Sequence, residues 1–218
     1  MARIAALFDL DGVVLDTEHQ YDIIWGRIGK KYHPETPGFA KQIKGMTLES
    51  ILNTHFPAPE ARKEVERMLY DFEAKEMKYK YVAGAHSYII SLRNVGVQTA
   101  VVTSSNNDKM RDVRAHMENF DSLFDTIVTA ELTPRSKPEP DCFLKGAELL
   151  GRAADECVVF EDSLNGIRAG RAAGMLTVGL STTFGRERVA ELADIVIDDF
   201  VGVAPERFFN IETINRDL

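Results

Sequence analysis

The sequence predicts an α/β fold, a doubly wound parallel sheet carrying an inserted all-helical unit, on three observations. Short apolar runs suited to buried strands alternate with helical segments over most of the chain. That alternation breaks once, over residues 17–81, where the pattern turns helical and β-branched runs are scarce. The first apolar run also exits into an acidic turn, Asp9-Leu10-Asp11-Gly12, at the kind of strand end where α/β enzymes carry out chemistry. The expected organisation is a core of residues 1–16 and 82–218 with a helical cap over 17–81.

Ile4 to Phe8 reads as the first strand, and Gly12 supplies the sharp turn after it. Beyond Asp16-Thr17, about four helices are expected, punctuated by Pro34 and Pro37, the Gly45-Met46-Thr47 turn and Pro57-Ala58-Pro59, with Glu60 to Lys80 the longest. Val97 to Thr103, Thr126 to Thr129, Cys157 to Phe160, Thr177 to Leu180 and Ile195 to Ile197 then read as short buried strands. A helix from Leu164 to Ala173 carries Gly166 and Gly170, with Gly174 next to it, spaced for close packing on a sheet.

Composition narrows the function. The chain has 218 residues, 44% of them hydrophobic, enough for a packed core. A formal charge of −8 without a Lys/Arg-rich run points away from nucleic acid and anionic membrane. No apolar stretch is long enough to span a bilayer and Met1-Ala2-Arg3 leads straight into a strand, so the cytoplasm is the expected location. Cys142 and Cys157 lack metal-ligand spacing and are expected to be small buried hydrophobes.

Four polar groups fall at the carboxyl ends of the expected strands: Asp9-Leu10-Asp11, Thr103-Ser104-Ser105, Lys137-Pro138 and Glu161-Asp162. Each alone fits ordinary structure, as a turn, a helix N-cap or the acidic start of a helix. Together they are chemically complementary. A carboxylate such as Asp9 can attack phosphorus and form an aspartyl-phosphate, provided its own charge is balanced. Mg²⁺ bound by Asp9, Asp162 and the main-chain carbonyl of Asp11 would balance it, with Glu161 as a further ligand or an outer partner. Thr103 and the amide of Ser104 or a neighbour would hold phosphoryl oxygens, and Lys137 would offset charge from the other side. Asp11 keeps its side chain for proton transfer. No G-x-G-x-x-G or P-loop pattern is present, which argues against a dinucleotide or nucleoside-triphosphate site.

In this order Asp9-Leu10-Asp11-Gly12-Val13, Val102-Thr103-Ser104, Lys137-Pro138 and Glu161-Asp162-Ser163 resemble the four motifs of the haloacid dehalogenase superfamily. The helical region after the first motif resembles the small cap of its β-phosphoglucomutase and sugar-phosphate phosphatase subgroup. That resemblance implies a Rossmann-like core, Asp9 as nucleophile, Asp11 as general acid/base, Thr103 and Lys137 on the phosphate, Asp162 on Mg²⁺, and a small phosphorylated metabolite as substrate.

The cap decides between phosphatase and mutase. β-Phosphoglucomutases carry an Arg just after a Lys-Gly-x-Ser/Thr turn and a His shortly after the Asp-Thr hinge. Here Asp16-Thr17 matches the hinge, but Lys44-Gly45-Met46-Thr47 is followed by Leu48 and the His position holds Tyr21, with His19 two residues away. Leucine cannot make the bidentate phosphate contact of arginine, which favours a phosphatase over the mutase alternative. Lys44, Lys75 and His19 stand as further candidates for contact with substrate. Dehalogenation has no need of Asp11 or Mg²⁺, and a non-enzymatic aspartate phosphoacceptor lacks the inserted helices.

Overall fold

A computed structural model describes residues 4–44 and 46–211; Gly45 of the Lys44-Gly45-Met46-Thr47 turn and Met1-Ala2-Arg3 lie outside the described residues. Among them run six strands, β1 (Ala5–Phe8), β2 (Gln98–Val102), β3 (Thr126–Val128), β4 (Cys157–Glu161), β5 (Leu176–Leu180) and β6 (Ile195–Ile197). All pair in parallel, in the order β3-β2-β1-β4-β5-β6. The chain winds outward from β1 to β3, then restarts at β4 on the other side of β1. The switch point therefore lies between β1 and its neighbours, where ligands of such sheets bind.

The strands are apolar throughout because both faces are covered. Ala6 and Phe8 enter one cluster with Tyr88, Ile89 and Leu92 of α5 (Ala85–Asn94) and Met110 and Val113 of α6 (Asn107–His116). Ala5 and Leu7, one residue out of phase, enter the other with Phe143 and Ala147 of α7 (Asp141–Leu150) and Ala169 of α8 (Leu164–Ala172). Cys142 and Cys157 are free and buried, as expected of small hydrophobes. A last short helix, α9 (Arg186–Ala190), lies between β5 and β6.

Between β1 and α5 come the four expected helices, α1 (Glu18–Tyr32), α2 (Phe39–Gln42), α3 (Leu48–His55) and α4 (Pro59–Lys75). They gather a third apolar cluster of their own, including Ile24, Trp25 and Ile28 of α1, Phe39 of α2, Leu52 of α3 and Leu69 and Phe72 of α4. The longest helix ends at Lys75, short of Lys80. There the chain turns back to the core, and the Lys80 carbonyl accepts from the Asp16 amide at 2.8 Å while the Val82 amide donates to the Val14 carbonyl at 3.0 Å. Both crossings into the helical unit thus lie side by side.

Of the three expected packing glycines, Gly166 and Gly170 behave so. A Cβ at Gly166 would stand 1.7 Å from Glu161 Oε1, and one at Gly170 2.7 Å from Thr177 Oγ1. Gly174 differs: it has open space around it and φ of +76°, so its place is the left-handed turn after α8.

Candidate active site

β1 carries its register past Phe8, the Asp9 amide donating to the Phe160 carbonyl at 3.0 Å, which sets Asp9 beside the end of β4. Gly12, with φ of +77°, turns the chain; a Cβ there would meet Asp162 Oδ2 at 2.2 Å. β2 runs out into Thr103, whose amide donates to the Val128 carbonyl at 2.9 Å. The helix cap expected from Thr103-Ser104-Ser105 belongs to the next residue, Asn106, whose side chain accepts from the Lys109 amide at 3.0 Å. Thr103 is left to the site. Its hydroxyl accepts from the Ser105 amide at 3.0 Å and keeps its own proton to donate.

Lys137 joins the pieces. Its ammonium, almost fully buried, donates to Asp9 Oδ1 and to Glu161 Oε1, both at 2.6 Å. Burial works against its charge, but Asp9 and Glu161 outweigh it and hold the lysine protonated. Glu161 Oε2 accepts from the Ser163 amide at 2.7 Å, so both oxygens of Glu161 have protein donors. Asp162 differs. Its Oδ2 is buried with no hydrogen-bond partner among the described residues.

Asp9, Glu161 and Asp162 each bring a carboxylate oxygen within 4.8 Å of the others. Burial pushes the Asp9 carboxyl up to about 8 against the pull of Lys137, with Glu161 and Asp11 adding to the rise. Burial likewise drives Asp162 well above the carboxylate range, aided by Glu18, Glu161 and Asp9. A buried all-oxygen cluster with an unpaired oxygen and too little positive charge has the donor set that hard divalent cations take.

Asp11 stands apart from that trio. Its oxygens receive the hydroxyl of Thr17, the hydroxyl of Ser105 at 3.2 Å and the ammonium of Lys109. Asp11, Ser105 and Lys109 open on a cavity of about 510 Å³, lined on the side of the four-helix unit by Trp25, Leu48 and Leu69. Tyr21 lies over it with its hydroxyl given to Glu73 at 2.5 Å. Ser104 also lines it.

The other cap candidates divide. Lys44 lines the cavity, but its ammonium is held by Glu18 at 2.5 Å and Asp22 at 3.0 Å. Lys75 is exposed and paired with Asp71, one helical turn back, and His19 is exposed beside Asp16 at 3.3 Å; neither lines the cavity. Both lie on helix faces turned to solvent, a phase that a candidate chosen by proximity in sequence does not reveal. Sequence reasoning missed Lys109 and Glu73, and gave Glu18 and Ser105 no role of their own. Lys109 carried one signal: a lysine in the first turn of a helix whose N-cap sits just past a strand end is carried toward that strand end.

Comparison with known proteins places the chain in a family. The chain is 31% identical over 195 residues to hexitol phosphatase A of Escherichia coli (strain K12), covering 88% of each chain. It is 28% identical over 190 residues to β-phosphoglucomutase of Bacillus subtilis (strain 168), covering 81% of this chain and 82% of the other. Among solved structures, a HAD hydrolase of family IA, variant 3, from Entamoeba histolytica superposes with a TM-score of 0.79 at 24% identity, covering 97% of this chain and 99% of that one. The family model for haloacid dehalogenase-like hydrolases matches residues 6–180, spanning every strand end that builds the site, and the chain belongs to that family.

Proposed function

We propose that the protein is a Mg²⁺-dependent phosphatase of small phosphate monoesters, sugar phosphates above all, working through an aspartyl-phosphate on Asp9. The observation that carries this reading is the buried Asp9–Lys137–Glu161 bridge beside the unpartnered oxygen of Asp162, with Asp9 and Asp162 lining the cavity beneath the four helices. Asp9, Asp162 and the main-chain carbonyl of Asp11 would hold the cation; Glu161, with both oxygens already engaged, is the outer partner that anchors Lys137. When bound, the cation supplies the charge that lets a carboxylate approach a phosphate dianion.

The rest falls to this chain's own groups. Thr103 Oγ, the amide next to it and Lys137 hold the phosphoryl oxygens while Asp9 attacks phosphorus. Asp11 protonates the departing ester oxygen, then takes a proton from the water that releases phosphate from Asp9. Residues 17–81 serve as a cap, hinged near Thr17 and Tyr81–Gly84, that shuts out water for ester cleavage and opens for release. Cross-cap contacts fit this role: Asn165 Nδ2 donates to the Lys44 carbonyl at 3.2 Å.

A relative named hexitol phosphatase supports phosphatase chemistry, and one named β-phosphoglucomutase keeps the mutase in view. Three facts favour the phosphatase. Leu48 lines the cavity where a mutase places arginine, Tyr21 has spent its hydroxyl on Glu73, and Lys44 is neutralised by Glu18 and Asp22. A second phosphate finds no clamp in these groups. The test is phosphate release from a panel of phosphorylated metabolites, with β-glucose 1-phosphate plus a bisphosphate activator included. Release that vanishes with EDTA is expected; fast isomerisation without free phosphate would establish the mutase.

A further inference from the structure

Lys109 is 3% exposed and places its ammonium on both oxygens of Asp11. A buried lysine is costly unless its charge is matched, and here the match spans both parts of the fold. The ring of Tyr21, on α1, lies 4.3 Å from the ammonium, and the Tyr21 hydroxyl donates to the buried Glu73 of α4. Burial raises the Glu73 carboxyl and Lys109 pulls it down. Each Asp11 oxygen also accepts a hydroxyl, Oδ1 from Thr17 and Oδ2 from Ser105. Donors from the cap junction, the loop after β2 and α6 thus fix one carboxylate from three directions.

We infer that Lys109 is a positioning residue that acts through Asp11, fixing its carboxylate for the second half-reaction. The inference rests on the phosphatase reading. In that half-reaction the water oxygen bonds to phosphorus, the bond from phosphorus to the Asp9 oxygen breaks, its electron pair returns to the Asp9 carboxylate, and the water proton passes to Asp11. A carboxylate free to swing loses the alignment with that water. Ester cleavage of p-nitrophenyl phosphate asks nothing of it, since p-nitrophenolate departs without a proton.

Rapid-mixing kinetics with p-nitrophenyl phosphate and Mg²⁺ test this in the parent protein, Lys109→Met, Lys109→Arg, Asp11→Asn and the Asp11→Asn/Lys109→Met double variant. In Lys109→Met, kcat should fall roughly tenfold to a hundredfold with KM falling in step, so that kcat/KM holds, and a nitrophenolate burst approaching one per enzyme should appear. Lys109→Arg should restore most of kcat, and Lys109→Met should add nothing once Asp11 is Asn. A drop in kcat/KM without a burst, or an undiminished effect in the Asp11→Asn background, overturns the inference. A parent protein that releases no nitrophenolate sinks the phosphatase reading by itself. In that case the melting temperatures of the parent, Lys109→Met, Asp11→Asn and the double variant decide: non-additive losses support the Lys109–Asp11 pair and additive losses overturn it.

Discussion

Asp9 and Lys137 concentrate the electrostatic strain of the site. Asp9 is buried with Glu161, Asp162 and Asp11 around it and Lys137 as its cation. Asp9→Asn should abolish turnover and phosphoenzyme formation while leaving the melting temperature unchanged or raised, because a near-isosteric amide removes one of several crowded carboxylates. Acid-quench trapping with an activated phosphate donor checks it, and an adduct formed in normal yield would assign the nucleophile elsewhere. Lys137→Met should do the opposite to stability. It leaves Asp9 and Glu161 buried without their counter-charge, at a cost of about 3–5 kcal/mol in chemical denaturation without divalent metal. A loss below about 1 kcal/mol would mean that those carboxyls are neutral in the folded protein.

The junction of β4 and α8 shows how an element aims chemistry. Ser163 caps α8 by accepting from the Gly166 amide at 2.9 Å, and Glu161 folds back against Gly166 to reach Lys137. Gly166→Ala should displace Glu161, costing about 1–3 kcal/mol and lowering kcat through Lys137, whereas Gly26→Ala, with nothing within 4 Å of its Cβ, should do neither. Equal effects at the two glycines would remove the packing explanation. At this scale the strand runs were legible from alternation, while the cap expected from Thr103-Ser104-Ser105 fell on Asn106. What they left out was phase: Lys75 and His19 fell on the solvent faces of their helices, and Lys109 on a buried one. A one-residue shift along a helix turns a side chain by about 100°.

Over the whole molecule, the sheet's switch point and the helical unit enclose one cavity, and Trp25, the single tryptophan, lines it from α1. Inorganic phosphate with Mg²⁺ should therefore shift Trp25 emission, and the same shift should be lost in Asp162→Asn. An unchanged spectrum in the parent protein, under conditions where phosphate inhibits turnover, would count against closure of the helices over the site. Mg²⁺ alone should raise the melting temperature of the parent but not of Asp162→Asn, since a ligand stabilises only the state that binds it.

From the sequence by itself came the parallel sheet, the inserted helices and the four strand-end groups Asp9/Asp11, Thr103, Lys137 and Glu161/Asp162, because apolar runs, turn residues and motif order are local properties of the chain. Only the tertiary structure decided how those groups share charge: Glu161 holds Lys137, Asp162 keeps an unpartnered oxygen, and Lys109 and Thr17 hold Asp11. The two lysine pairings join residues 98 and 24 positions apart across crossovers of the sheet. Burial makes each of them matter, and neither burial nor side-chain phase is written in a linear motif.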